Sequence, residues 1–486
     1  MQPLLAHTYK NLPASLSSAC SPTPVKAPFL FASNKSLAET LGIDLDWFGS
    51  ADAAEFFGGA SAHERYQGRA TAYAGFQFGQ YNPQLGDGRA LLLGERQDVA
   101  GQTWEIQLKG AGPTPFSRGG DGRSAIGPVI REYLISEWMH SQSVPTTRAL
   151  GALTTGEPVI RDRILPGGIL IRVAPSHIRF GSFQYAAARQ DLDALNALVD
   201  LSFVRHYPNH PLQQRTALAL LELVIDRTAE LVARWLSLGF IHGVMNTDNM
   251  SVGGLTIDYG PCAFQDDFHW ERVFSSIDTR GRYRFDNQPP IALWNLARFA
   301  ESLLPLLYDN ESAAIALAEQ ALANFESQFN AYRETVFAQK IGMLGAVDTY
   351  QEITSPLLSL MQDSGADFTL SFSYIEALTR NHGARLTLLE RLIPQHMKLK
   401  RFWQSHLAHA ATYTASTAST ASAEVNPLRI PRNHQIEQVI KAAEAGDFKP
   451  FRALEYGLLG KTSEYLEEHI RGPKPQEWLN RTFCGT

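Results

Sequence analysis

Two oxygen-bearing side chains nine positions apart, Asn249 and Asp258, constrain this chain more than any other feature. They lie in residues 242–260, His-Gly-Val-Met-Asn-Thr-Asp-Asn-Met-Ser-Val-Gly-Gly-Leu-Thr-Ile-Asp-Tyr-Gly. Asn249 closes a polar loop. Asp258 ends a short apolar run, Leu255-Thr256-Ile257, and is followed by Tyr259 and Gly260. Amide and carboxylate oxygens suit magnesium, with phosphates and waters completing its octahedron. A chain that uses both must fold so that a loop and a strand end meet in one cleft.

Protein kinases arrange such ligands in this order, an Asn closing a His-x-Asp-x-x-x-x-Asn loop and then Asp-Phe-Gly. His242 and Asn249 keep the seven-residue interval. The position two after the histidine, where a kinase carries its base, is Val244. Valine accepts no proton. A second acid, Asp248, stands beside the asparagine, and three roles are open to it: base for an incoming hydroxyl, partner of the metal's waters, or loop cap. His242 is expected to hold the loop by hydrogen bonds rather than to transfer protons.

Upstream, the pattern from about 70 to 110 reads as strands joined by glycine turns. Ala90-Leu91-Leu92-Leu93-Gly94 follows the turn Leu85-Gly86-Asp87-Gly88-Arg89. In residues 104–109 the residues alternate, with Trp104, Ile106 and Leu108 on one face and Glu105, Gln107 and Lys109 on the other. Pro128 is placed to open a helix over 129–139 with Ile130, Leu134 and Trp138 near one face. Residues 168–173 read as a further strand. Beyond about 190 the period becomes helical: Leu221, Val224, Thr228, Leu231, Trp235 and Leu238 mark a long amphipathic helix that Gly239 terminates. Helices are also expected at 292–307, 311–332 and 436–445.

Strands first and helices later indicate an α+β chain with two segregated lobes and a cleft between them. The expected divisions are 1–155, a β-rich N-lobe with the glycine-rich loops, Lys109 and Glu132, and 156–410, a helical C-lobe with the metal and catalytic loop. A flexible low-complexity linker, 411–426, and a helical C-terminal extension, 427–486, ending in Cys484, complete the chain.

A kinase pairs a strand lysine with a helix glutamate to hold the ammonium against nucleotide phosphates. Lys109 and Glu132 come in the right order for that pairing, although an exposed strand lysine is ordinarily a solvated face. Each of the loops 86–89 and 119–123 ends in an arginine, Arg89 and Arg123, whose guanidinium matches phosphate oxygens bidentately. Arg172 is embedded in apolar strand sequence, where an unpaired charge is costly, and Arg179 follows seven residues later. A phosphate or carboxylate partner is implied.

The 486 residues suffice for one large two-lobed fold, and 44% hydrophobic composition supports a substantial core. A net charge of −6 gives no general reason to expect nucleic acid or membrane as partner. No run approaches about 18 apolar residues, so no membrane span is expected. The N-terminal residues lack a secretory h-region and an Arg-rich amphipathic pattern, so the cytoplasm is the expected compartment. Of three cysteines, Cys20 and Cys262 read as ordinary thiols, while Cys484 stands on an accessible tail where redox chemistry is possible.

Longer strings carry a resemblance. Tyr-Ala-Gly-Phe-Gln-Phe-Gly (73–79), Leu-Gly-Asp-Gly-Arg-Ala (85–90), Gln-Leu-Lys-Gly-Ala-Gly-Pro-Thr-Pro-Phe-Ser-Arg (107–118) and Gly-Asp-Gly-Arg (120–123) closely resemble the selenoprotein O family. So do Val-Pro-Thr-Thr-Arg-Ala-Leu (144–150), His-Gly-Val-Met-Asn-Thr-Asp-Asn-Met (242–250) and Ile-Asp-Tyr-Gly-Pro (257–261). The resemblance implies a protein-kinase-like two-lobed pseudokinase that moves AMP from ATP to Ser, Thr or Tyr hydroxyls of proteins and releases pyrophosphate. It implies ATP bound in reverse, γ-phosphate deep and α-phosphate toward the acceptor. Carried over, it makes Gly86, Gly88, Arg89, Lys109, Asp121, Gly122, Arg172, Arg179 and Asp258 nucleotide-binding. Asn249 and Asp258 hold Mg²⁺ or Mn²⁺, Asp248 accepts the proton, and Glu132 pairs with Lys109.

Two departures stand out. Bacterial members pair the tail cysteine with one shortly after Asp-Tyr-Gly, where this chain has Phe274, so the partner of Cys484 looks absent. The histidine often seen after Tyr-Ala-Gly is Phe76, with little consequence expected. Two other classes of activity compete with adenylylation: a kinase with Asp248 as base, against which Val244 argues, and a non-catalytic ATP-binding scaffold.

Overall fold

In the computed structural model, strands dominate up to Ala174 and helices follow. It describes residues 5–60, 68–343, 348–417, 425–460, 467–479 and 481–483. The strands are β1 (Ser17–Cys20), β2 (Phe29–Ser33), β3 (Gly68–Thr71), β4 (Gly75–Gln77), β5 (Gln80–Asn82), β6 (Ala90–Gln97), β7 (Thr103–Lys109), β8 (Ser124–Ala125), β9 (Arg148–Ile160) and β10 (Ile164–Ala174). An antiparallel sheet runs β1-β3-β6-β7-β10-β9-β2, with β8 added beside β10, while β4 and β5 form a separate hairpin.

The central position of β7 gives the sheet its function-bearing face. Its register sets Lys109 opposite both Ala90 and Leu170, and Gln107 opposite Arg172. With a side-chain period of two, Lys109, Gln107 and Arg172 share one side. The other side, with Ile106, Leu108, Ile171 and Val173, packs on the short helices Lys35–Thr40, Leu45–Phe48 and Ala51–Phe57.

The polar face of β7 is not a solvated one. Glu105 and Gln107 are wholly buried, because both sides of the sheet are covered. Helix Ile126–Ser141, with Pro128 in its first turn, lies against β9 and β10. Helix Asn433–Glu444 packs on the outer side of that helix, which is therefore buried on nearly every face. The approach is close: a Cβ added at Gly127 would lie 3.1 Å from Ile440 Cγ2.

In the helical part, Ala217–Ser237 is the long amphipathic helix expected, with the Thr216 side chain capping its start. Gly239 ends it at φ +67°, where an added Cβ would lie 2.8 Å from the Phe368 ring. Helix Gln288–Leu307 starts earlier than 292. The segment 311–332 is two helices, Glu311–Leu322 and Phe325–Lys340, separated at Ala323 and Asn324. The C-terminal helix, Asn433–Glu444, contains Ile436 and ends one residue before Ala445.

The expected divisions move. The 155/156 boundary falls inside β9, and the β9–β10 hairpin carries the sheet on to Ala174. The linker at 411–426 is bounded by order. Helix His396–Thr417 runs into it, as alanine-rich sequence favours. At its other end Glu376 accepts bonds from the Val425 and Asn426 N–H groups at 2.9 and 3.1 Å. Its middle, 418–424, lies outside the described residues, as does Cys484. The C-terminal extension is tied in by the wholly buried Arg432, which bonds Asp266 and lies 2.8 Å from Asp367. No described helix is long and apolar enough to cross a membrane.

Behind the site, Glu105 accepts the His177 N–H at 2.8 Å and lies 2.8 Å from its Nδ1. Burial pushes the Glu105 carboxyl up to about 8, against the pull of Arg205, and burial holds His177 well below its ordinary value. Both shifts favour the uncharged forms of the pair. A carboxyl whose folded pKa is raised takes up a proton on folding, so its stabilisation is full below the unfolded value and falls as pH rises. Wild-type stability should therefore decline between about 4.5 and about 8 through this group, and Glu105→Gln should lack that decline. Thermal melts across this range test it; parallel pH profiles for the two proteins would contradict it.

Candidate active site

The loop that carries Asn249 is shaped by its histidine. His242 Nε2–H donates to the Ile257 carbonyl at 2.9 Å, and Nδ1 accepts the Val244 N–H at 3.4 Å. His242 thus ties the asparagine loop to the strand end that carries Asp258, and burial lowers its pKa so that it stays neutral. Gln288 accepts the His242 N–H at 3.0 Å and donates to Phe240 O, fixing the loop's base. Thr247–Asn249 forms a single tight turn. Asn249 Nδ2 donates to Val244 O at 2.9 Å, which leaves its amide oxygen as the free acceptor.

Asp258 sits at φ +63°, left-handed backbone that a non-glycine residue adopts only when its surroundings impose it. Three cations grip its side chain. Lys109 Nζ lies 2.6 Å and Arg172 Nη1 2.8 Å from Oδ1, and Arg179 Nη1 lies 3.0 Å from Oδ2. Burial alone would raise this carboxyl, but Lys109, Arg172 and Arg179 outweigh it and hold it well below the usual carboxylate range. Glu132 balances the other side of the cluster, 2.6 Å from Lys109 and 3.1 Å from Arg172. Gln107 Oε1 takes two further bonds from Arg172, at 3.1 and 2.5 Å. Three cations against two carboxylates leave the cluster net positive.

Asp248 lies beside this cluster in the same cavity. Arg179 reaches its backbone carbonyl at 2.8 Å, and the same guanidinium lies over the Tyr73 ring at 4.6 Å. Burial pushes the Asp248 carboxyl up to about 6, against Arg179 and a bond from Gln77, which pull it down.

The glycine loops close the cavity from above. Gly86 has φ +73°, and a Cβ there would lie 2.3 Å from Phe116; Gly122 has φ +63°, with a Cβ 2.0 Å from Gly112 O. Neither position admits a side chain. Asp87, which also lines the cavity, accepts the Thr71 N–H and hydroxyl at 2.9 and 2.6 Å and so pins the first loop. The Thr114 hydroxyl donates to Asp87 O at 2.6 Å and joins that loop to the segment leading to the second. Asp121 is held bidentately by Arg161, at 2.9 and 3.1 Å.

The cavity measures about 690 Å³. Every nucleotide or metal position expected from the sequence lines it: Gly86, Gly88, Arg89, Lys109, Asp121, Gly122, Arg172, Arg179, Asp248, Asn249 and Asp258. Glu132 lies beneath Lys109. Sequence reasoning passed over Arg161, Gln77 and Gln107. Gln107 was discoverable, since it shares the strand face of Lys109. Arg161 was not, because only the long β9–β10 hairpin brings its tip to the second glycine loop.

The remaining positions are placed as follows. Cys262 is buried in the core. Phe274 is buried as well, and its carbonyl accepts the Thr482 N–H at 2.7 Å, so the chain's tail runs beside it. Phe76 packs edge-on against Trp294 at 5.3 Å, while its backbone N–H, which most residues could supply, donates to Thr247 Oγ1 at 2.7 Å.

Comparison with known proteins agrees over the chain's length. Residues 5–458 match the family described as "Protein adenylyltransferase SelO". The "Protein nucleotidyltransferase YdiU" of Rhodopseudomonas palustris (strain BisB18) is 47% identical over 489 residues, covering 99% of this chain and 98% of the relative. That of Rhizobium leguminosarum bv. trifolii (strain WSM2304) is 47% identical over 486 residues, covering 99% and 97%. A matching cavity and match across nearly the whole chain lead to one assignment: this chain belongs to the SelO protein adenylyltransferase family, whose members are nucleotidyltransferases.

Proposed function

We propose that this chain transfers AMP from ATP to Ser, Thr or Tyr hydroxyls of proteins and releases pyrophosphate, in a protein-kinase-like arrangement of a β-rich lobe and a helical lobe. The observation that carries it is the net-positive floor of Lys109, Arg172 and Arg179 around Asp258, with Asp248 alongside and Val244 where a kinase has its base. Such a floor suits the β- and γ-phosphates, which become the leaving pyrophosphate. The glycine loops, with Arg89, Asp121 and Gly122, then hold the rest of the nucleotide.

The residues fit a divalent ion, Mg²⁺ or Mn²⁺. Asn249 has its amide nitrogen engaged by Val244 O, which frees its oxygen, and Asp258 supplies a carboxylate. Two protein oxygens, with phosphates and waters completing the octahedron, suit such an ion. Bound there, the ion would neutralise phosphate charge. The protein's own steps are these. Lys109, held by Glu132, and the two arginines fix the β- and γ-phosphates. Asp248 accepts the proton of the acceptor hydroxyl as its oxygen forms a bond to the α-phosphorus. The bond from that phosphorus to the bridging oxygen breaks, and the electron pair leaves with pyrophosphate. A cytoplasmic setting, where ATP is plentiful, belongs to the same reading. Phe274 offers no thiol to Cys484, so no disulfide between those two positions regulates the site.

Incubation with ATP and Mg²⁺, labelled at the α or the γ phosphate, separates the reactions. Label on protein from the α position alone is expected; label from the γ position alone would mean phosphoryl transfer. Lys109→Ala should lower the rate by roughly 10²–10³-fold, the scale of losing one preorganised donor to developing charge. Asp258→Asn should reduce metal-dependent transfer to background while retaining the fold by circular dichroism. Wild-type rates in either variant would remove that residue from the chemistry.

A further inference from the structure

Three consecutive residues of the β4–β5 hairpin reach Asn246, Thr247 and Asp248, at the start of the catalytic turn. Phe76 N–H donates to Thr247 Oγ1 at 2.7 Å, and Phe78 N–H to Asn246 Oδ1 at 3.1 Å. Between them, Gln77 Nε2 donates to Asp248 Oδ2 at 3.2 Å. The hairpin is itself held in place. Its turn, Phe78–Gly79, has φ values of +52° and +85°, the left-handed pair a tight two-residue turn requires. The Tyr283 hydroxyl bonds Asn246 Oδ1 at 2.7 Å and accepts the Phe78 N–H at 3.2 Å.

The two oxygens of Asp248 are unequal. Oδ1 is buried and accepts no hydrogen bond among the described residues. A Cβ added at Gly75 would lie 2.9 Å from it, so the hairpin backbone closes over that oxygen. Gln77 and Asp248 both line the cavity, and Oδ2 is the oxygen the Gln77 amide engages there. A carboxylate oxygen carries two lone pairs, so one bond from an amide leaves a second position for a hydroxyl. The terminal torsion of an aspartate is broad, so the staggered wells that set other torsions do not fix the carboxylate plane, and a bond to one oxygen does.

Resting on the adenylyl-transfer reading above, we infer that Gln77 is a positioning residue for the reaction: its side-chain amide fixes the Asp248 carboxylate with Oδ2 presented to the acceptor hydroxyl. Oδ2 then takes the hydroxyl proton as the new oxygen–phosphorus bond forms, and Gln77 keeps its own protons throughout. The hairpin, an element of the strand-rich half, thereby sets the geometry of a base carried by the helical half. Gly75 lies over Oδ1, where an added Cβ would press on the Asp248 side chain.

Gln77→Met removes the donor at similar length and without charge, and Gln77→Glu removes it in the same shape. Each variant is assayed for transfer from α-labelled ATP, with Mg²⁺, onto the protein itself and onto casein as a generic hydroxyl-bearing acceptor. Both should lose roughly 10²-fold in kcat, the scale of a misplaced reacting group. The dissociation constant of a non-hydrolysable ATP analogue, by calorimetry, and the melting temperature should match the wild type. A wild-type kcat in Gln77→Met overturns the inference. So does a loss of kcat matched by weaker nucleotide binding or a lowered melting temperature, which would make Gln77 a packing residue. Wild-type protein that transfers no α label to either acceptor overturns the adenylyl-transfer reading itself, a result distinct from failure of the variants alone.

Discussion

The site depends on one electrostatic knot, the Asp258 carboxylate held by Lys109, Arg172 and Arg179 and counterweighted by Glu132. Charges taken out of water are costly unless paired, and breaking a buried pair costs about 3–5 kcal/mol. Arg172, at 2% exposure, survives in a strand because Asp258, Glu132 and Gln107 all accept from it. The knot also explains the backbone of Asp258, since a left-handed aspartate persists where its side chain is gripped from several directions. Because positive charge exceeds negative, the same groups that stabilise the fold offer themselves to a polyanion.

The knot joins separate parts of the chain. Lys109 comes from β7, Arg172 from β10, Glu132 from helix Ile126–Ser141, Arg179 from the start of helix Phe180–Ala187, and Asp258 from the loop after β11 (Phe240–Ile241). Strand-rich and helical halves are therefore registered against each other by charge at the bottom of the cavity and by the β4–β5 hairpin at its side. Function and stability share residues here, which is why isosteric substitutions are more informative than truncations.

Much of this was legible from residue order. The strict alternation of 104–109 gave the face of Lys109, and the spacing of His242, Asn249 and Asp258 gave the loop. What failed had a common cause, tertiary cover that a local pattern cannot show. Glu105 and Gln107 lie on the polar face of their strand yet are wholly buried, which the strand's own period cannot show. The 155/156 boundary falls inside β9, a long hairpin strand with register shifts that runs on past Gly156 and Pro158. The linker reading at 411–426 weighed low complexity above alanine's helix propensity. Arg161 and Gln77 escaped because their partners, Asp121 and Asp248, lie 40 and 171 residues away.

The central claim is that the deep cations take the β- and γ-phosphates and leave the α-phosphate facing the acceptor. A crystal structure with a non-hydrolysable ATP analogue and Mg²⁺ tests it most directly. The account predicts the γ-phosphate against Lys109, Arg172 and Arg179, the ion between Asn249 and Asp258, and the α-phosphorus on the side of Asp248. A γ-phosphate lying nearest the opening, with the α-phosphate buried against Lys109, would contradict it.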